Sequence, residues 1–168
     1  MNQASHYVDL MQWLMGPAES VMAKTATQAR RIEAEDSGVA IVKFRSGALG
    51  VLEVNVLTYP KNLEGSITLL GETGSVKIGG TAVNRVEHWD FADYDDDDKL
   101  VDASATAPPS VYGFGHVPYY RNVVEVLQSG GKADTDGRAG RKSLELILGI
   151  YESAKTGREV PIPLRTRL

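Results

Sequence analysis

The sequence predicts an α+β domain: an open, mostly antiparallel β-sheet with helices on one face and the other face used for oligomerisation. Short runs rich in β-branched and apolar residues succeed one another between residues 21 and 88, separated by glycine-containing turns. Helical periodicity is confined to the opening residues and to the chain from Tyr119 onward. In Val39-Ala40-Ile41-Val42-Lys43-Phe44 both alternating sets are mainly apolar, the pattern of a sheet covered on both faces, and this chain has too few helices to cover both.

The first element is a helix ending at Gly16-Pro17. Tyr7, Leu10, Met11 and Leu14 fall at i, i+3, i+4 and i+7 and predict its apolar face, while Asn2, His6 and Asp9 form a polar stripe. Strands follow at Val21–Thr27, Val39–Phe44, Leu49–Leu57, Ser66–Leu70, Ser75–Ile78 and Val83–His88. Arg45-Ser46-Gly47 and Gly71-Glu72-Thr73-Gly74 read as hairpin connections, which makes neighbouring strands antiparallel. Two helices close the chain, Tyr119–Gln128 and Gly137–Thr156, the last with Leu144, Ile147, Leu148 and Tyr151 as its expected apolar face. The uncovered sheet face is expected to meet a second copy across a two-fold axis, as a homodimer or a tetramer. A central strand that is apolar on both sides without any partner is the alternative.

With 168 residues, 42% hydrophobic and 24% charged, the chain suits one domain with a real core. It has no cysteine, so neither a disulfide framework nor a thiolate nucleophile is available, and a cytoplasmic location is expected. A net charge of −4 argues against nucleic acid as the main partner. No membrane-spanning run or signal peptide is read from the sequence. The acidic run Asp93, Asp95, Asp96, Asp97 and Asp98 lacks the glycine and terminal glutamate of a calcium loop and reads as a solvated loop, so no metal is expected.

Candidate chemistry concentrates in three places. His6 sits one turn from Asn2 and can accept a hydroxyl proton near neutral pH; Asp9 could orient the ring or only carry charge. The bland alternative is a histidine satisfied by structural partners. In Tyr59-Pro60-Lys61-Asn62, Lys61 can pair with a phosphate or carboxylate and Asn62 can hydrogen-bond a sugar hydroxyl, though Lys-Asn after proline is also ordinary turn chemistry. In Tyr112-Gly113-Phe114-Gly115-His116 the glycines admit close backbone approach to a ligand and the aromatics can stack on a base or sugar; equally, such a loop can close a small hydrophobic gap.

The run Asn2 to Asp9 resembles the segment opening the C-terminal domain of the glucose–fructose oxidoreductase, inositol dehydrogenase and rhizopine-catabolism (Gfo/Idh/MocA) family. Tyr59 to Ser66, Leu70 to Val76 and Ser110 to Tyr120 extend the likeness over nearly the whole chain and draw it towards one branch, the UDP-N-acetylglucosaminuronate 3-dehydrogenases of bacterial surface-polysaccharide (lipopolysaccharide, O-antigen) synthesis. The resemblance implies an oxidoreductase that uses NAD and oxidises a secondary hydroxyl, here C3 of the sugar. It implies His6 as the catalytic proton acceptor, beside a lysine contributed by an N-terminal domain. Asn2, Tyr59, Lys61, Asn62, Tyr112 and His116 are expected to bind the nucleotide-sugar substrate. Many relatives carry Asp where this chain has Asn2, which can orient the ring but not stabilise an imidazolium as a carboxylate would. The G-x-G-x-x-G fingerprint of the family's Rossmann domain is not found: Gly71 to Gly74 and Gly113 to Gly115 have the wrong spacing. Residues 1–168 are therefore expected to be a single C-terminal substrate-binding and oligomerisation domain, with no cofactor-binding residues of its own and inactive alone. The competing expectations are a family dehydrogenase for another sugar or inositol, and a binding or assembly module without chemistry.

Overall fold

The structure, a computed structural model, describes residues 4–60, 63, 65–80, 83–101 and 115–164. The chain forms two compact units, Met1–Asn62 together with Thr135–Leu168, and Leu63–Asp134.

The first unit holds helix α1 (Ser5–Met15), strands β1 (Ala18–Ala26), β2 (Ser37–Phe44) and β3 (Leu49–Asn55), the long C-terminal helix (Gly137–Thr156) and a short final strand, Val160–Pro161. The sheet order is β3-β2-β1 and then the final strand, antiparallel throughout. The expected hairpin at residues 45–47 joins β2 to β3. The Gly47 amide bonds to the Phe44 carbonyl at 2.9 Å, and Gly47 adopts φ 91°, a conformation costly for other residues. The longer connection before β2 is organised by Asp36, a buried carboxylate that accepts the backbone N–H groups of Gln28, Ala29 and Arg30 at 2.8–2.9 Å. These bonds, that from Ala29 first, hold its pKa below the ordinary carboxylate range.

One face of this sheet carries the core. Val21, Ala23, Ala40, Val42, Phe44 and Leu52 are buried there against Val8 of α1 and Leu146 and Ile150 of the C-terminal helix. Both helices lie on that face, as expected from sequence, but each turns a different stripe inward. On α1 Val8 is buried, as is Ala4 just before the helix, and Met15 packs on the core beside Tyr7 and Met11 of the expected stripe, whereas Leu14 is exposed. On the C-terminal helix Ser143, Leu146, Gly149, Ile150 and Ser153 are buried, while Leu144, Leu148 and Tyr151 face outward and only Ile147 of the expected stripe packs on the core.

Close approach explains the second shift. A Cβ on Gly149 would stand 2.7 Å from Ile162 Cδ1 and 3.2 Å from Val21 Cγ1, and Ser153 Oγ accepts the Ala23 backbone N–H at 2.9 Å. Small residues seat this helix on the sheet, and counting large apolar side chains points to the wrong side. The helix is capped as its sequence demands: Asp136 accepts from Arg138 N and Ala139 N, and Gly157 closes the last turn in the left-handed region at φ 68°.

The second unit contains strands β4 (Ile67–Leu70), β5 (Gly74–Gly79) and β6 (Arg85–Phe91), paired antiparallel in the order β4-β5-β6. It also contains one 3₁₀ turn (Asp97–Leu100) and helix α2 (His116–Ser129). With α2 so placed, the C-terminal helix is α3 and the final strand β7. All six expected strands are present, divided between two sheets, and β7, not expected from the sequence, is a seventh among the described residues. At the β4–β5 hairpin Phe91 lies so close over Gly74 that a Cβ there would stand 2.2 Å from its ring. The acidic run folds on itself: Asp98 accepts the Trp89 indole N–H at 2.6 Å and the Asp95 backbone N–H, and Asp95 accepts that of Asp97.

Candidate active site

His6 lies in the first turn of α1 with its ring exposed. The helix begins here because Ala4, fully buried, accepts the Val8 amide at 2.9 Å, and it stops at Gly16, whose φ of 83° leaves the helical region ahead of Pro17. Val8 and Met11 pin α1 to the core, which turns the His6 side of the helix outward. No described residue hydrogen-bonds the imidazole.

Asp9 does not act on that ring in this structure. Its carboxylate accepts a hydrogen bond from the Ser143 hydroxyl on α3, and one turn further Gln12 Nε2 donates to the Lys142 carbonyl at 3.1 Å. The polar stripe of α1 is thus divided: its C-terminal part ties α1 to α3, and its N-terminal part presents His6 to solvent. Ser143 and Gln12 were not among the residues singled out from sequence. The signal for Ser143 is a serine in register with Leu146, Ile150 and Ser153, all of them buried on one helix face.

Tyr59 follows the end of β3, 93% exposed, with a cis bond to Pro60. His116 is the first residue of α2, in the other unit, and is exposed. Asn2, Lys61, Asn62 and Tyr112 lie outside the described residues. Beyond the end of the sheet remote from Phe44 there is an open hollow of about 180 Å³ lined by Lys24, Thr25, Ser37, Glu53, Val54 and Asn55. None of the sequence-derived site residues lines it. His6 therefore stands on an open wall: it can take or give a proton, but none of the described residues of its own unit encloses a ligand against it.

The opposite face of the first sheet presents exposed apolar side chains. Met22, Ile41 and Val51 form one cross-strand row, each about half exposed or more (46%, 52% and 72%), and Lys24, Val39 and Glu53 form the next. Among the described residues no helix is long and apolar enough to cross a membrane, and no group of three or more His, Cys, Asp or Glu is placed to hold a metal ion.

The chain is similar to the WlbA dehydrogenase from Bordetella pertussis, solved in complex with NADH and UDP-GlcNAcA, at 56% identity and a TM-score of 0.91, covering 98% of this chain and 48% of that one. The WlbA enzyme from Chromobacterium violaceum, solved with the same two ligands, gives 55% identity and a TM-score of 0.90 over 98% of this chain and 46% of that one. Among curated proteins, D-apiose dehydrogenase from Paraburkholderia graminis is 24% identical over 94% of this chain and 43% of its own length. The chain thus spans about half the length of the proteins it matches. Residues 1–164 match the profile of the oxidoreductase family, C-terminal alpha/beta domain, and the chain belongs to that family, the Gfo/Idh/MocA oxidoreductases.

Proposed function

We propose that this chain is the C-terminal domain of a two-domain, NAD-dependent dehydrogenase that oxidises C3 of UDP-N-acetylglucosaminuronate for surface-polysaccharide synthesis in the cytoplasm. The observation that carries the reading is 56% identity over 98% of the chain to an enzyme solved with NADH and UDP-GlcNAcA. The exposed His6 gives it a chemical group of the required kind.

Among the described residues both sheets are antiparallel with no βαβ unit, and the sequence has no G-x-G-x-x-G run, so these residues do not fit a dinucleotide. The nicotinamide, which accepts hydride from the carbinol carbon, belongs on the domain that accounts for the rest of the relatives' length. What this chain supplies is the proton side of the oxidation: His6 takes the hydroxyl proton and becomes imidazolium. Asn2, Tyr59, Lys61, Asn62, Tyr112 and His116 bind the sugar and its diphosphate, and the exposed apolar face of the first sheet packs on a second copy of the chain.

The test is nicotinamide reduction by the two-domain protein offered UDP-N-acetylglucosaminuronate, UDP-glucose, D-apiose and inositol separately. Turnover with the first alone is expected, and His6→Ala should lower kcat by about 10²–10⁴-fold with KM largely kept. Turnover only with another of the four would replace the substrate. Silence with all of them would leave a binding or assembly module.

A further inference from the structure

We infer that Ser143 of α3 and Asp9 of α1 form a positioning strut that fixes the rotation of α1, and hence the place of the His6 ring, for the reaction. This rests on the role proposed for His6 above. The inward contacts of α1, through Ala4, Val8 and Met11, are apolar and set which side of the helix meets the core, but being non-directional they fix its fine rotation less sharply than a hydrogen bond does. Its N-terminus has no side-chain cap and no acidic residue in the first turn. Between α1 and α3 the described residues make two directional side-chain contacts: the Ser143 hydroxyl on Asp9, and Gln12 Nε2 on the Lys142 carbonyl. Ser143 is itself buried, on a helix whose own position is set by Leu146, Gly149, Ile150 and Ser153, so the reference point for the strut is the core.

The geometry gives the strut leverage. His6 is three residues before Asp9, just under one helical turn. A roll of about 20° carries a ring roughly 6 Å from the helix axis through about 2 Å, and misplacement of about 1 Å can cost ~10²-fold in rate. Asp9 therefore acts on His6 through the helix and not as its charge partner: its Oδ1 is held by Ser143, and no described residue bonds the ring.

The test compares Ser143→Ala, Asp9→Ala and Asp9→Asn in the two-domain protein, with amide hydrogen exchange of α1 measured on each. Ser143→Ala should lower kcat about 10–100-fold with KM within about twofold, leave the midpoint of the pH–rate profile in place, and speed exchange over α1 selectively. Asp9→Asn keeps an acceptor oxygen for the hydroxyl and should recover most of what Asp9→Ala loses. A kcat for Ser143→Ala equal to wild type would overturn the inference. So would Asp9→Asn losing as much as Asp9→Ala with its pH midpoint moved down, the signature of a lost charge partner. If the unsubstituted protein turns over no sugar, the proposed function fails, and exchange alone decides the strut: unchanged protection of α1 in Ser143→Ala refutes it.

Discussion

Replacing Ser153 by alanine tests how α3 is seated. β7 pairs with β1 only at Ser20 and Val21, so beyond that point the β1 edge has lost its partner strand. The next amide on that edge, Ala23 N, is buried and donates to Ser153 Oγ at 2.9 Å, while the same hydroxyl donates to the Arg158 carbonyl at 2.6 Å. Alanine nearly keeps the volume, so no cavity term enters. Arg158 is exposed and its carbonyl can rehydrate, whereas the Ala23 amide cannot. The cost is then that of one buried unsatisfied donor, about 1–3 kcal/mol. For a chain of this size that corresponds to a fall in Tm of about 2–4 °C for each kcal/mol. Urea denaturation followed by far-UV circular dichroism reads it as a lower midpoint at unchanged slope. Ser129→Ala, at an exposed helix end where the hydroxyl returns to its own helix, serves as the control and should stay within about 0.5 kcal/mol. A Ser153→Ala variant equally close to wild type would refute the view that this serine completes the edge of β1.

Two further outcomes follow from the same unit. Ile41→Asp places a charge in the middle of the exposed apolar row and should convert an oligomer to monomers in sedimentation velocity without unfolding the chain; an unchanged sedimentation coefficient would remove this face from the assembly. Asp36→Asn should flatten the acid limb of stability: because the folded carboxylate titrates below its ordinary value, its contribution is present above the unfolded pKa of about 3.9 and is lost as pH falls through the folded one. Denaturant midpoints taken from neutral pH down to about pH 3 check it, and parallel curves for the two proteins would contradict it.

Elements with a local cause are legible in the sequence. The hairpins at residues 45–47 and 71–74 and the span of α3 are found where turn glycines, the Asp136 cap and hydrophobic runs place them. What escapes is decided by contacts far apart in sequence. The inward stripe of α3 depends on how closely β1 approaches Gly149 and Ser153, which no periodicity of large apolar residues encodes. On α1 the small Ala4 and the β-branched Val8 are inward while Leu14 is not, because the helix rests beside Phe44 and α3 instead of lying flat on a broad sheet. β7 is two residues long, too short for an alternating pattern to register.

The candidate site divides along the same line. His6 stands out in the sequence as a candidate because a proton-transfer group must be a particular residue type, and few types titrate near neutral pH. The residues that hold it face no such chemical demand: any donor of the right length on α3 could meet Asp9, so Ser143 carries no motif and is found only once α1 and α3 are side by side. Asp9 shows the hazard in the opposite direction. Three residues from a histidine, it invites the reading of a charge partner, yet the nearer demand is the hydroxyl of a buried serine that needs an acceptor. A carboxylate beside a candidate base thus acquires its role from whichever donor the tertiary structure brings to it first, and here that donor belongs to the scaffold.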